Sequence, residues 1–258
     1  MTVPLLSDPI LITMLALSVG ILPLLGKYEH RRLQRWIEAR RSDARLRHYA
    51  WTEGSEWILT VPLFVWWVMD ARGLGEGALR LSHVPSGWEW LGVAAAIGAS
   101  LFLFFQMRAT LENADVLDKL RSGMGELIDW MPRTHEEHQA FSRLSVTAGI
   151  CEEVLYRGIL LASLEPFVGP WVAALASSVL FGMGHAYQGV VGVAKTAGVG
   201  LVLAAITLLS GSLVPAILLH AVLDLTSGRI LGAAAALEDR QRSRTSLPVE
   251  AESPARTS

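Results

Sequence analysis

The chain has 258 residues, 52% of them hydrophobic, with a formal net charge of −2 and a mean hydropathy of +0.39. That is too apolar for a soluble domain of this size, and so small a net charge argues for neither an acidic nor a basic partner. A single cysteine, Cys151, excludes an internal disulfide; it stands beside a pair of glutamates, but a small buried thiol is a simpler reading of it than a nucleophile.

The apolar residues come in long runs that read as seven candidate membrane spans, at about 5–25, 55–70, 89–107, 143–164, 169–187, 189–209 and 213–235. The expected fold is all-α, a polytopic transmembrane helical bundle of about seven to eight spans. The first run lacks the basic flank of a signal peptide and a small-residue cleavage site, so it reads as a retained helix. Just after it, between Lys27 and Arg47, lie eight cations: Lys27, Arg31, Arg32, Arg35, Arg40, Arg41, Arg45 and Arg47. An excess of Lys and Arg marks a cytoplasmic loop, which puts the N-terminus outside; seven spans then bring the C-terminus inside, where Arg229, Arg240, Arg242 and Arg244 agree with it. With a membrane helix on each side, this basic stretch is not read as a nucleic-acid site. The expected location is the plasma membrane of a prokaryote.

The second span contains Pro62, and it shares with the third a crowd of tryptophans: Trp51, Trp57, Trp66, Trp67, Trp88 and Trp90. These read as an interfacial belt and lipid-facing packing, as do Phe102, Phe104 and Phe105. Intramembrane charges in this part look confined to helix ends, such as Asp70 and Arg108. The chain then divides into an N-terminal unit of three spans (1–107), a polar cytoplasmic insert (108–140) broken at Trp130-Met131-Pro132, a core of four closely spaced spans (141–235), and a tail (236–258) rich in Arg, Ser, Glu and Pro with no apolar periodicity, expected to be disordered.

Every costly polar group lies in the core. Cys151-Glu-Glu-Val-Leu-Tyr-Arg-Gly158 sets two carboxylates and a guanidinium in an apolar run, where a charge is expensive and usually marks a site. On a helix, Glu153 and Arg157 share a face in the favourable order, and their pairing lowers the cost of burial. Glu152 lies about 100° round the helix, less compensated, and is the candidate general base. A purely structural Glu-Arg clamp accounts for one glutamate but not for the second. In Phe181-Gly-Met-Gly-His185, the ring can buttress the imidazole four residues on, and the glycines permit close helix approach. His220 and Asp224, again four apart, can form an orienting pair or point together at one oxygen or metal. By contrast, His135-Glu-Glu-His138 lacks the His-Glu-x-x-His spacing, and reads as a solvated helix face.

Glu152-Glu153-x-x-x-Arg157-Gly158, Phe181-x-x-x-His185 and His220-x-x-x-Asp224, with Tyr187-Gln188-Gly189 and the stretch from Thr207 to Pro215, resemble in order and spacing the CAAX protease and bacteriocin-processing family (the Abi/CAAX prenyl protease type) over about residues 141–235. The resemblance implies an intramembrane endopeptidase that cleaves a membrane-associated protein or peptide in the bilayer. In it Glu152 and His185 activate water, His220 and Asp224 stabilise the oxyanion, and Glu153 with Arg157 supports the helix and tunes Glu152. Relatives commonly carry Asn in place of Asp224, and an ionised Asp cannot donate to an oxyanion. Two chemistries fit these residues: a Zn²⁺ ion held by Glu152, His185, His220 and Asp224, or a glutamate-activated water without metal, the latter favoured for the water-activating step. The rival readings are a non-catalytic membrane scaffold or immunity-type protein, and a proton-coupled transporter. Against the transporter stands the confinement of the polar residues to one half of the chain.

Overall fold

The computed structural model describes residues 8–69 and 83–245, and among these it contains helices and turns but no strand. The first helix, α1, runs unbroken from Pro9 to Glu38. It starts where Asp8 accepts hydrogen bonds from the amides of Ile10 and Leu11, with Pro9 in the first turn, and it loosens into a π-helical turn at Leu17–Ile21. The basic segment expected to be a loop is therefore largely helix. The helix continues past the apolar run, turns at Arg40, whose φ is 54°, and resumes at Ala44 as α2, Ala44–Met69, with Pro62 inside it. Asp70 lies outside the described residues.

The remaining helices are α3, Trp90–Leu111; α4, Ala114–Gly123, capped by Asn113; α5, which joins His135–Glu153, a π-helical Val154–Leu160 and Leu161–Val168; α6, Pro170–Gly184; α7, Gly189–Ser210; and α8, Val214–Thr245. The polar insert carries α4 and a 3₁₀ stretch at Gly125–Trp130. Among the described residues, four segments are long and apolar enough to cross a membrane: Pro9–Glu38, Gly87–Leu111, Ala186–Ser210 and Val214–Leu237. The expected spans at 55–70, 143–164 and 169–187 also fall on helices, α2, α5 and α6, which miss that standard in composition or, for α6, in length.

The polar residues of α5 explain its place. A helix with Glu153 and Arg157 in mid-span is too costly to show to lipid, and every residue from Glu153 to Leu161 is buried. It is wrapped by Ile10, Leu11 and Met14 of α1, Leu63 and Trp67 of α2, and Ala173, Ala174 and Phe181 of α6. A second cluster joins Ala96 of α3 to Leu203 and Ile206 of α7 and Ala216 and Leu219 of α8. Close approach uses small residues, since lipid gives helices no hydrophobic reason to associate. A Cβ on Gly182 would meet the Val193 carbonyl at 2.6 Å, and one on Gly92 the Ser210 amide at 2.5 Å. Of the six tryptophans of the expected belt, Trp51, Trp57, Trp66, Trp88 and Trp90 are exposed, and Trp67 alone is buried in the core.

Candidate active site

The site begins with α5. Glu153 Oε1 accepts from Arg157 Nη1 at 2.9 Å and from His220 Nδ1 at 2.8 Å. Arg157 Nη2 donates to the Gly200 carbonyl at 2.8 Å, and its guanidinium lies 4.6 Å from the centre of the Phe181 ring. Gly200 is required here, because a Cβ would sit 2.9 Å from both Arg157 Nη2 and Phe181. Both charged side chains are fully buried. The i,i+4 pair read from the sequence is therefore present, and it holds α5, α7 and α8 together.

The two histidines arrive from opposite directions. His185 caps the end of α6, its Nδ1–H donating to the Phe181 carbonyl at 2.9 Å, with the Phe181 ring edge-on at 4.8 Å between centroids. His220 sits near the start of α8. The chain breaks after Ser210, with Gly211 at φ 66°, and restarts at Val214 with Pro215 in its first turn. This break supplies the offset that lets a residue near the beginning of one span meet Glu152 in the middle of another. With both Nδ1 atoms occupied by acceptors, the tautomers are set, and both Nε2 atoms face Glu152: His185 at 3.8 Å from Oε1 and His220 at 3.6 Å from Oε2. Asp224 Oδ2 lies 3.8 Å from His220 Nε2.

All seven residues singled out from the sequence thus converge: Glu152, Glu153, His185, His220 and Asp224, with Arg157 and Phe181 behind them. Two roles differ from the spacing argument. The partner that orients His220 at Nδ1 is Glu153 rather than Asp224, and Glu153 itself, fully buried behind the imidazole, touches no open space. Cys151 is free and buried. His135-Glu-Glu-His138 is not uniformly solvated: Glu137 is buried and closes a capping box with Thr134, accepting from the amides of Arg133 and Thr134.

Glu152, His185, His220 and Asp224 line a cavity of about 520 Å³. Its roof is the insert. Trp130 stacks on Tyr187 at 5.0 Å and an interplanar angle of 3°, donates from Nε1 to His30 Nδ1 at 2.8 Å, and accepts at its carbonyl from the Tyr49 hydroxyl. A smaller cavity of about 110 Å³ adjoins it, sharing Glu152, His185, Trp130 and Tyr187. Two carboxylates that the sequence reading passed over line this smaller space, Glu29 of α1 and Glu56 of α2. The signal for Glu56 was present, an acid within an apolar run; that of Glu29 was masked by the surrounding arginines.

As for metal, no three His, Cys, Asp or Glu side chains among the described residues are gathered as tightly as a coordination shell requires. The donor types nonetheless suit zinc: the two imidazole Nε2 atoms lie 3.8 and 3.6 Å from the Glu152 carboxylate, Asp224 lies 3.8 Å from His220, and each histidine is anchored through its other nitrogen.

Fold and site define a class, a multi-pass helical membrane protein with a polar centre enclosed by its helices. The family follows from comparison: residues 138–226 match the family model described as type II CAAX prenyl endopeptidase Rce1-like. Over that segment the chain is similar to the CAAX endopeptidases that its motifs resemble. No curated protein and no solved structure matches the chain.

Proposed function

We propose that the protein is an intramembrane endopeptidase that hydrolyses a peptide bond of a membrane-associated protein or peptide, with Glu152 as the general base. The observation that carries this is the placement of the Glu152 carboxylate between two imidazole Nε2 atoms, 3.8 and 3.6 Å away, on the wall of a 520 Å³ cavity. Glu152 takes a proton from a water that His185 Nε2 orients by accepting its other hydrogen. The water oxygen attacks the scissile carbonyl carbon as its π pair moves to oxygen. His220, with Nδ1–H held by Glu153, donates from a protonated Nε2 to that oxyanion, and an ionised Asp224 stands across the same nitrogen as countercharge. Glu152 then returns its proton to the leaving nitrogen as the C–N bond breaks. Glu153 and Arg157 are positioning residues. A Zn²⁺ ion would take Glu152, His185, His220 and Asp224 as donors and, when bound, would polarise the water as a Lewis acid; the proton transfers above are assigned to this chain's own groups.

In this reading the arginine-rich end of α1 and α2 faces the cytoplasm by the positive-inside rule. The insert and the roofed cavity then lie on that side of a prokaryotic plasma membrane, with the N-terminus outside and the C-terminus inside. The test is cleavage of a peptide panel by detergent-purified protein, with metal content measured on the same sample. Glu152→Ala and His185→Ala are expected to lower kcat/KM by about 10²-fold or more while the proteins stay folded. Wild-type rates in both variants sink the proposal. Near-stoichiometric zinc in an active wild type would identify the four donors as a ligand set.

A further inference from the structure

The 110 Å³ side cavity contains two acidic groups that the reaction above does not use. Glu29, on α1, is 4% exposed; its Oε2 accepts from the Thr52 hydroxyl at 3.1 Å, while its Oε1 has no hydrogen-bond partner. Glu56, on α2, is half-buried and faces the junction of the side cavity with the main one. Arg32, one turn along α1 from Glu29, does not close the account. Its guanidinium is turned onto the rings of Trp51 and Trp36, at 4.4 and 4.9 Å, its Nε and Nη2 make no hydrogen bond, and its charge reaches Glu29 only through space. A buried carboxylate with an unsatisfied oxygen is costly unless a cation or a donor meets it.

The shape of the cavity narrows what that partner is. Its walls are mostly aliphatic or aromatic, with Leu25, Leu59, Leu155, Trp130 and Tyr187 among them, and Thr52 and Ser55 stand beside Glu29 and Glu56. Gly26 keeps the passage tight, since a Cβ there would meet the Tyr187 ring at 2.6 Å. At about 110 Å³ the space is smaller than the ~150 Å³ that takes a benzene ring, so it suits a narrow unbranched chain. Apolar walls, aromatic faces and a carboxylate end together describe a receptor for an aliphatic chain tipped with a cation. One end of the space opens at Glu152, where the scissile bond lies.

Resting on the peptidase reading, we propose that this side cavity is a specificity pocket for a lysine side chain of the substrate next to the cleaved bond, with Glu29 as its acidic end and Glu56 at its mouth. Two measurements test it. The first is independent of catalysis: the thermal shift of the full-length purified protein with n-butylammonium, against 1-pentanol and against NaCl at matched concentration. Stabilisation by the organic cation alone, lost in both Glu56→Gln and Glu29→Gln, is the expected result. Equal stabilisation by sodium, or none by any probe, overturns the pocket. The second is the ratio of kcat/KM for peptides carrying lysine over those carrying norleucine, taken position by position beside the cleaved bond. At one position wild type favours lysine, and Glu56→Gln lowers the ratio about tenfold or more. A ratio near one in wild type, or one that Glu56→Gln leaves unmoved, overturns it. Cation binding without cleavage of any peptide would instead count against the peptidase reading and leave the pocket standing.

Discussion

Two sets of buried carboxylates flank Glu152, and they are compensated in opposite ways. On the α5–α8 side, Glu153 is paired with a cation: Arg157 and His220 both donate to its Oε1, its Oε2 has no hydrogen-bond partner, and Arg157 is itself held by the Gly200 carbonyl. On the α1–α2 side, Glu29 accepts from the Thr52 hydroxyl but no guanidinium donates to it, and Glu56 lines the cavity. The first arrangement satisfies its charges within the fold and so locks three helices in one geometry. The second leaves carboxyl groups at a cavity wall, as a binding surface does. The same residue type differs in role between the two places because of what surrounds it.

The sharpest way to break this contrast is to remove the cation from the satisfied side. Arg157→Met strands Glu153 in the core and is expected to destabilise the protein by about 3–5 kcal/mol, read by denaturant titration in detergent. A change below about 1 kcal/mol would mean that Glu153 is not held as an ion pair. The opposite side should respond weakly: Glu56→Gln nearly keeps the shape of a half-buried carboxyl group at a cavity wall, so stability is expected to stay within about 0.5 kcal/mol of wild type or to rise. A large loss there would make Glu56 structural after all.

The smallest effect belongs to a third setting, where solvent does much of the compensating. Asp43, at the exposed turn between α1 and α2, accepts from Arg41 and Arg47, which hold its carboxyl down at about 2. Its folded value lies below its ordinary one, so its contribution is present above about pH 4 and fades as the pH falls towards 2. Asp43→Asn should therefore show a small stability deficit at pH 6 that vanishes by pH 2. A deficit that persists at pH 2 would point to the helix start rather than to charge.

What the sequence made legible follows from how local each interaction is. Glu153–Arg157, Phe181–His185 and His220–Asp224 all sit four residues apart on one helix, and helical periodicity alone pairs them. The Glu153–His220 bond joins residues 67 apart, and no spacing rule reaches it. It exists because the Gly211 break sets the start of α8 against α5, a tertiary fact. The helical continuation of α1 to Glu38 was hidden because arginines were weighed for their charge rather than for their amphipathic placement. Glu29 is hidden for the same reason, one of three acids among eight cations. Glu56 was overlooked because the N-terminal spans were judged by their tryptophans. The polar core was thus readable from the residues, whereas the contribution of the first two helices to its surroundings depended on packing.

Under the proposed function, the site also constrains the conformation of whatever is cut. Glu152 stands among packed helices, near the Trp130–Tyr187 stack, and an intact helix keeps its carbonyls in its own hydrogen bonds and behind its side chains. A chain that reaches the carboxylate does so unwound, as an extended end or a locally melted stretch. Susceptibility to this protein should accordingly follow how easily a segment gives up its helix, a property of the substrate's glycines, prolines and termini, before any side chain is inspected.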